Sequence, residues 1–472
     1  MELRPNQIEP SNIGVSFFQK KKADPSIIVC PTAFGKSIVI AYIAKHIDDK
    51  VLILQPSKEL LQQNFSKFTR MGGVATIYSA SVGIKQIGHI TYATIGSIKG
   101  IGTRFKELGF TKMIIDECHL YPREMDSMIG RFLQSSGITH VLGLTATPLK
   151  LQSGMGADGN PMSKLVMLTS RSKKGNFFKD IIHVSQVKEM VELKFWSPLE
   201  YETYHIDEGK LVYNSTKAEY TEESIKAVYE SNDIRGKLFQ KIADLKDRKS
   251  IIVFVPSVDE AIRFAQEVEG GAAVYGNMDK KERDFVVSGF LNGSIRIIFN
   301  VNVLSVGFDH PGLDCIIMAR STASFAWYYQ ALGRGTRIHP NKEDCLIVDF
   351  SGNVKRFGRI EDIYFTKEKQ TWKLYGEAGN LLTGCPIHEI GLHKQPTEPD
   401  VVPHDPIPTN PNKVITFTFG MHKGKKVSDV PKGYREWALE NVTWTDRNHD
   451  VKVELERLRE MELENNLEIS NQ

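Results

Sequence analysis

Two short stretches carry residue types that can do chemistry together. Pro31-Thr32-Ala33-Phe34-Gly35-Lys36-Ser37 follows the apolar run Ile27-Ile28-Val29-Cys30. A loop there, opening a helix, offers backbone N–H groups, an ammonium and a hydroxyl to phosphate oxygens and Mg2+. Asp116-Glu117-Cys118-His119 follows a second apolar run, Met113-Ile114-Ile115. An acidic pair at a strand end can hold a metal ion and deprotonate water. Lys36 is therefore expected at the β/γ-phosphates of ATP, Ser37 and Asp116 at Mg2+, and Glu117 at the attacking water. Each motif alone is also an ordinary polar turn; their order and context favour a site for ATP hydrolysis.

The elements that position them are legible as apolar runs. Ile27–Cys30, Val51–Leu54, Met113–Ile115 and Val141–Leu144 recur with helical patterns between them, and a second series runs through Ile251–Val255, Arg296–Phe299, Cys315–Met318 and Cys345–Val348. This predicts an α/β chain with two lobes in tandem, each around a parallel sheet. Boundaries are expected at residues 1–205 and 206–365, then an extension and Pro-rich linker over 366–413, then a small module over 414–472. Leu149 to about Lys174 shows little periodicity and receives no fold. Asp450 to Glu468 reads as a charged helix.

At 472 residues the chain exceeds what one core usually organises. A net charge of +3 means that any nucleic-acid surface must come from local clustering. Cys30, Cys118, Cys315, Cys345 and Cys385 form no paired framework, so no disulfides and a reduced setting are expected. Met1 to Pro10 carries no apolar signal core, and no run approaches the roughly 20 apolar residues of a membrane span. A cytoplasmic protein without a membrane partner is expected.

Two further motifs complete the series: Thr145-Ala146-Thr147-Pro148 and Gln330-Ala331-Leu332-Gly333-Arg334-Gly335-Thr336-Arg337. In this order the four resemble those of superfamily 2 helicases of the DEAD/DEAH type. The resemblance implies two RecA-like domains of the P-loop fold, with ATP and Mg2+ as cofactors. It implies that His119 couples the site to Thr145, that Gln330 belongs to the second-lobe motif, that Arg337 is an arginine finger and that Arg334 contacts a neighbouring phosphate. Leu3-Arg4-Pro5-Asn6-Gln7 resembles the adenine-reading element, with Gln7 as the base contact beside Arg4. Gly307-Phe308-Asp309 resembles the motif that couples DNA to ATP, with Asp309 near the ribose; Val301 stands where that motif commonly starts with threonine. Ala33 departs from the glycine common in these loops, and at positive φ it would cost about 1 kcal/mol.

By the same resemblance a nucleic-acid strand crosses both lobes at Pro56 and Ser57, Thr94 and Ser97, Ser257 and Asn277. Hydroxyls and amides there grip phosphate without reading bases. Lys164, Arg171, Lys173, Lys174 and Lys179 form a basic stretch that suits a duplex or a solvated face equally.

From Leu3 to about Ile363 the chain looks most like the RadD-like branch of DNA repair helicases, through Leu3-Arg4-Pro5, Val141 to Pro148, Asn300 to Asp309 and Asp349-Phe350-Ser351-Gly352-Asn353. Phage-encoded helicases look similar, which would place the protein in a host cytoplasm. The cysteine-rich zinc modules of bacterial relatives are not matched: Cys385, His388 and His393 are too sparse, so no structural zinc is expected. Thr416 to Lys426, with Val430-Pro431 and Tyr434 to Trp437, resembles the small C-terminal module of exodeoxyribonuclease X-type proteins. Lys423, Lys425 and Lys426 among aromatics suit DNA binding, or the aromatics form a small core. The implied function is an ATP-dependent DNA helicase or translocase of repair, recombination or replication, acting on single-stranded, duplex or branched DNA alongside single-strand-binding or other repair proteins. An RNA helicase and an ATP-gated DNA clamp remain open alternatives.

Overall fold

In the computed structural model, residues 3–121, 127–155, 161–170, 176–215, 218–301, 303, 309–390 and 425–430 are described, with 435, 439, 451, 452, 454–456, 458 and 459. The chain divides into two units, Met1–Thr397 and Glu398–Gln472.

The first unit holds both lobes. Its strands are β1 Ser26–Val29, β2 Val51–Leu54, β3 Thr76–Ser79, β4 Ile84–Lys85, β5 Ile90–Ala93, β6 Lys112–Asp116, β7 His140–Thr145, β8 Leu149–Met155, β9 Pro161–Met167 and β10 Asp180–Val184. They continue as β11 Leu199–Thr203, β12 Ile251–Phe254, β13 Gly271–Tyr275, β14 Ile297–Val301, β15 Cys315–Met318, β16 Cys345–Asp349, β17 Tyr364–Glu368 and β18 Thr371–Tyr375.

The first sheet has the order β10-β1-β7-β6-β2-β5-β3-β4 and the second β11-β16-β15-β12-β14-β13. Every pairing in them is parallel except β3 with β4. Helices cover both faces of such sheets, so their strands read as continuous apolar runs. Accordingly β1, β2, β6 and β7 are buried along their whole length, as are β12 and β15. The two tandem α/β domains predicted are present, and both are RecA-like.

Three features differ from the sequence reading. β11 lies before residue 205 yet pairs with β16 in the second sheet, so the sheets divide between β10 and β11. Helix Val187–Glu192 is the element between them. Residues 149–155 and 161–167, given no fold, form the antiparallel hairpin β8–β9. It was missed because few of its side chains on β8 are buried, leaving no alternation to read. After Ile363 the chain forms a second hairpin, β17–β18, which returns to the first lobe. There Gln186 donates from Nε2 to the Phe365 carbonyl at 2.7 Å and accepts from its N–H at 3.0 Å, while Lys367 pairs with Asp180 at 3.2 Å.

All five cysteines are buried, and none is in a disulfide. Among the described residues no helix is long and apolar enough to cross a membrane. In the second unit, the described residues between 451 and 459 are helical, with Lys452 and Glu456 paired one turn apart. Lys425 and Lys426 are exposed there. Lys423 and most of the aromatic stretch lie outside the described residues, as do Gly307, Phe308, Arg171, Lys173 and Lys174.

Candidate active site

Parallel strands place loops at their C-terminal ends, where ligands bind. β1, β7 and β6 are neighbours, with Val29 opposite Thr145 and Asp116 opposite Leu144. Their ends therefore bring the phosphate-binding loop, Thr145 and Asp116 side by side. The loop closes into helix Lys36–Lys45 through Gly35, at φ +89°. A side chain there would be strained, and its Cβ would meet Gln7 Nε2 at 2.6 Å. Ala33 adopts φ +56°, the left-handed region in which an alanine carries strain.

Arg4, Gln7, Thr32 to Ser37, Asp116 and Glu117 line one cavity of about 420 Å³ with Asp309, Gln330, Arg334 and Arg337. Both lobes thus contribute. Pro31 is buried behind the loop and His119 stands behind Glu117, so neither lines it. Asn64, Lys67 and Phe195 line it too, although no motif pointed to them. Asn64 and Lys67 lie three residues apart on helix Lys58–Arg70, on one face of it. That shared face was the available signal.

Lys36 Nζ lies 3.1 Å from Glu117 Oε1. Burial alone would raise the Glu117 carboxyl, but Lys36 and then His119 outweigh it and hold it below its ordinary value. Burial likewise opposes the charge on Lys36, which Glu117 and Asp116 restore. Asp116 is pushed up to about 7 by burial and by Glu117, against Lys36. It accepts from Glu117 N at 3.0 Å and from Asn64 Nδ2 at 2.9 Å. Glu117 itself sits at φ +45°, a strained conformation of the kind concentrated at functional sites.

Behind Glu117 the polar groups form a chain. Gln330 Nε2 is 3.2 Å from His119 Nε2, and His119 Nδ1 is 2.7 Å from Thr145 Oγ1. If Gln330 donates, the network assigns the proton to Nδ1, which then donates to Thr145. Thr145 also accepts from Thr147 N at 3.0 Å and reaches Glu117 Oε2 at 3.5 Å.

The second lobe approaches the loop closely. Gly333 has no room for a side chain, since a Cβ would lie 2.4 Å from Thr32 Oγ1, and Trp196 Nε1 donates to the Thr32 carbonyl at 3.0 Å. Arg334 is 5% exposed, and burial followed by Arg337 pulls it down to about 9, still charged at neutral pH. Burial also lowers Arg337, whose Nε pairs with Asp309 at 2.8 Å. Its Nη1 is buried without a hydrogen-bond partner, a donor that an anion in the cavity would satisfy.

Ser37 and the buried Asp116 supply hard oxygen donors to one cavity, and a cation there would favour the ionised form of the Asp116 carboxyl that burial and Glu117 oppose. That fits Mg2+, which takes one or two carboxylates and completes its shell with water and substrate phosphate. No all-protein cage of three or more His, Cys, Asp and Glu side chains occurs among the described residues. When bound, Mg2+ neutralises charge on the β- and γ-phosphate oxygens. Lys67 Nζ reaches Ser37 Oγ at 3.3 Å.

The candidate nucleic-acid residues also follow strand ends. Ser57 after β2 and Ser257 after β12 cap helices, accepting from Leu60 N and Glu260 N at 3.3 Å each. Both follow a proline, Pro56 and Pro256, at matching places in the two lobes. Thr94 Oγ1 and Ser97 Oγ are 3.0 Å apart after β5, and Asn277 is exposed after β13. Lys164 and Lys179 are partly buried.

Two parallel-sheet lobes sharing a phosphate-binding cleft define a P-loop nucleoside triphosphatase of the two-lobed kind. The family described as "Type III restriction enzyme, res subunit" matches residues 1–150, and "Helicase conserved C-terminal domain" matches residues 235–339. The chain is 26% identical to a 51.5 kDa protein of a Lactococcus phage (isolate 7-9), over 75% of this chain and 70% of that one. It is 26% identical to DNA 3'-5' translocase XPB2 of Sulfurisphaera tokodaii, over 74% of this chain and 81% of that one. Its fold is similar to the ATP-dependent Type ISP restriction-modification enzyme LlaBIII bound to DNA, with a TM-score of 0.54 and 17% identity, over 74% of this chain and 28% of that one. Some curated relatives are much longer, and the chain spans 26% of one of them. The two family matches in series, over a cleft that contains the catalytic residue types, make this chain an ATP-hydrolysing enzyme of helicase superfamily 2.

Proposed function

We propose that the protein is an ATP-dependent DNA helicase or translocase, in which hydrolysis between the two lobes drives movement along DNA. The observation that carries this reading is the composite cavity: Lys36, Asp116 and Glu117 from one lobe face Gln330, Arg334 and Arg337 from the other. Such a site is complete only when the lobes are together, so binding and release of ATP change their separation. Glu117 is the base for the attacking water, and the chain through Thr145, His119 and Gln330 holds it in register with the second lobe. Arg337 stabilises charge on the γ-phosphate oxygens, released from Asp309 for that purpose, while Arg334 holds a neighbouring phosphate. Gln7 keeps one amide N–H and one carbonyl lone pair for adenine after bonding Phe34 O at 2.8 Å and Arg4 N at 3.0 Å.

The strand track runs over Ser57, Thr94, Ser97, Ser257 and Asn277, where the capped helix N-termini offer N–H groups to phosphates. DNA is favoured because the relatives named for a substrate include a DNA translocase and a DNA-bound restriction enzyme. A RadD-like role in DNA repair, with a C-terminal module akin to that of exodeoxyribonuclease X-type proteins adding affinity, extends this reading. ATP turnover measured with single-stranded, duplex and forked DNA and with RNA tests it. Stimulation by DNA is expected; stimulation by RNA alone moves the assignment to an RNA helicase, and hydrolysis indifferent to every nucleic acid overturns it.

A further inference from the structure

The helix Lys58–Arg70 touches both oxygen donors assigned to the metal. Asn64 donates to Asp116 Oδ2 at 2.9 Å, and Lys67, three residues on, reaches Ser37 Oγ at 3.3 Å. Asn64 is 4% exposed, and its amide nitrogen also donates to Gln55 Oε1 at 3.0 Å. Gln55 is fully buried in the short connection between β2 and that helix, where its backbone N–H bonds Ala93 O at 2.9 Å.

From this arrangement we infer that Asn64 is a positioning residue for Asp116, itself oriented by Gln55, and that the pair sets the affinity of the site for Mg2+. The inference rests on the assignment of Asp116 to the metal. Both N–H groups of the Asn64 amide are directed at acceptors, one on each partner, so the amide has one allowed orientation. Flipped, it would set its own carbonyl oxygen against the Asp116 and Gln55 oxygens. The carboxylate is thereby held at both ends, Oδ1 by Glu117 N and Oδ2 by Asn64, with one bond on each oxygen and further lone pairs left on both. A carboxylate that must present those lone pairs to a small ion with strict octahedral geometry gains from being fixed beforehand. An apolar residue at 64 would fill the space and leave the Asp116 carboxylate held at Oδ1 alone, by Glu117 N. Nothing in the phosphate contacts of Lys36 requires Asn64, so nucleotide and metal affinity separate experimentally.

Binding of a fluorescent ATP analogue to the full chain, titrated with Mg2+ and repeated in EDTA, tests this. Asn64→Leu should raise the half-saturating Mg2+ concentration about 10-fold or more, the usual scale for a group that orients a metal ligand. Affinity for the analogue in EDTA should stay within about two-fold, which a general loss of packing would not allow. Gln55→Leu should cause a smaller rise, and combining it with Asn64→Leu should add little, because the first acts only through the second. If Asn64→Leu does not fold, Gln55→Leu carries the test alone. An unchanged Mg2+ requirement in the folded variants, with the requirement altered in Asp116→Asn, overturns this inference and spares the metal site. An unchanged requirement in Asp116→Asn overturns the assignment beneath it.

Discussion

Gln330 of the second lobe lies 3.2 Å from His119 of the first, and His119 in turn lies 2.7 Å from Thr145 beside Glu117, the proposed base. A side chain on one lobe is therefore linked by hydrogen bonds to the proposed base on the other. Gln330→Ala should leave ATP affinity within a few-fold and reduce kcat about 10-fold, since it removes a hydrogen bond that matters when the lobes are aligned for reaction. Steady-state turnover with nucleotide binding measured separately decides this; an effect on affinity alone would place Gln330 in the binding of ground-state ATP.

Glu117→Gln should bind ATP with Mg2+ and hydrolyse it about 100-fold or more slowly, because an amide cannot take the proton of the attacking water. Its partner Lys36 also loses an ion pair at 3.1 Å, so affinity for the triphosphate should hold or improve. Single-turnover hydrolysis checks the first part. Unimpaired chemistry would assign the base elsewhere.

Ala33 is an alanine at φ +56° in the phosphate-binding loop. Ala33→Gly relieves about 1 kcal/mol of strain and gives part of that back through the greater freedom of glycine in the unfolded chain. The unfolding midpoint in urea should therefore rise slightly or stay level. A clear fall would mean that the alanine methyl makes packing contacts worth more than the strain.

His310 is held below its ordinary value by burial first and then by His339, with Arg337 and Lys342 adding and Asp314 opposing. Its Nε2 bonds Ser250 Oγ at 2.8 Å. A base lowered in the folded state takes up its proton more readily when unfolded. Its contribution is thus complete above the ordinary value of 6.5 and is lost as pH falls from there through the lowered value. Unfolding midpoints at pH 7.5 and 5.5 should show this loss, and His310→Gln should show less of it; equal losses would assign the pH dependence to other groups.

Removal of the second unit after Thr397 should leave basal hydrolysis intact, because every residue of the cavity lies before it. Lys425 and Lys426 are exposed in that unit, and each phosphate they neutralise adds roughly 0.7 to 0.9 to the salt dependence of DNA binding. DNA affinity measured against salt should be weaker and less salt-dependent in the truncated protein. Identical affinities and slopes would make these lysines an ordinary solvated face.

The parts of this molecule that were legible in the sequence are those that repeat a strong physical constraint. Strands buried on both faces must be apolar throughout, so β1, β2, β6, β7 and β12 announced themselves. Gly35 and Lys36 are confined to few residue types by φ and by charge. Asn64 and Phe195 were not legible, since an asparagine inside a helix and an aromatic after one suit many environments, and only the fold brings them to the cavity. β11 was assigned to the wrong lobe's span because strand pairing across more than a hundred residues leaves no local mark. The caps at Ser57 and Ser257 show the opposite case: the hydroxyls were visible, but their bonds to Leu60 N and Glu260 N give them a structural duty beside any contact with phosphate.

The composite site is tested most directly by Arg337→Ala, assayed for ATP turnover at saturating single-stranded DNA and, in parallel, for binding of a fluorescent ATP analogue. Arg337 comes from the second lobe, lines the cavity with Lys36 and Glu117, and keeps a buried donor at Nη1. An arginine finger is worth about 10³-fold or more in rate, so turnover should fall by that order while affinity changes only a few-fold. Turnover within a few-fold of the wild-type rate would contradict hydrolysis between the lobes.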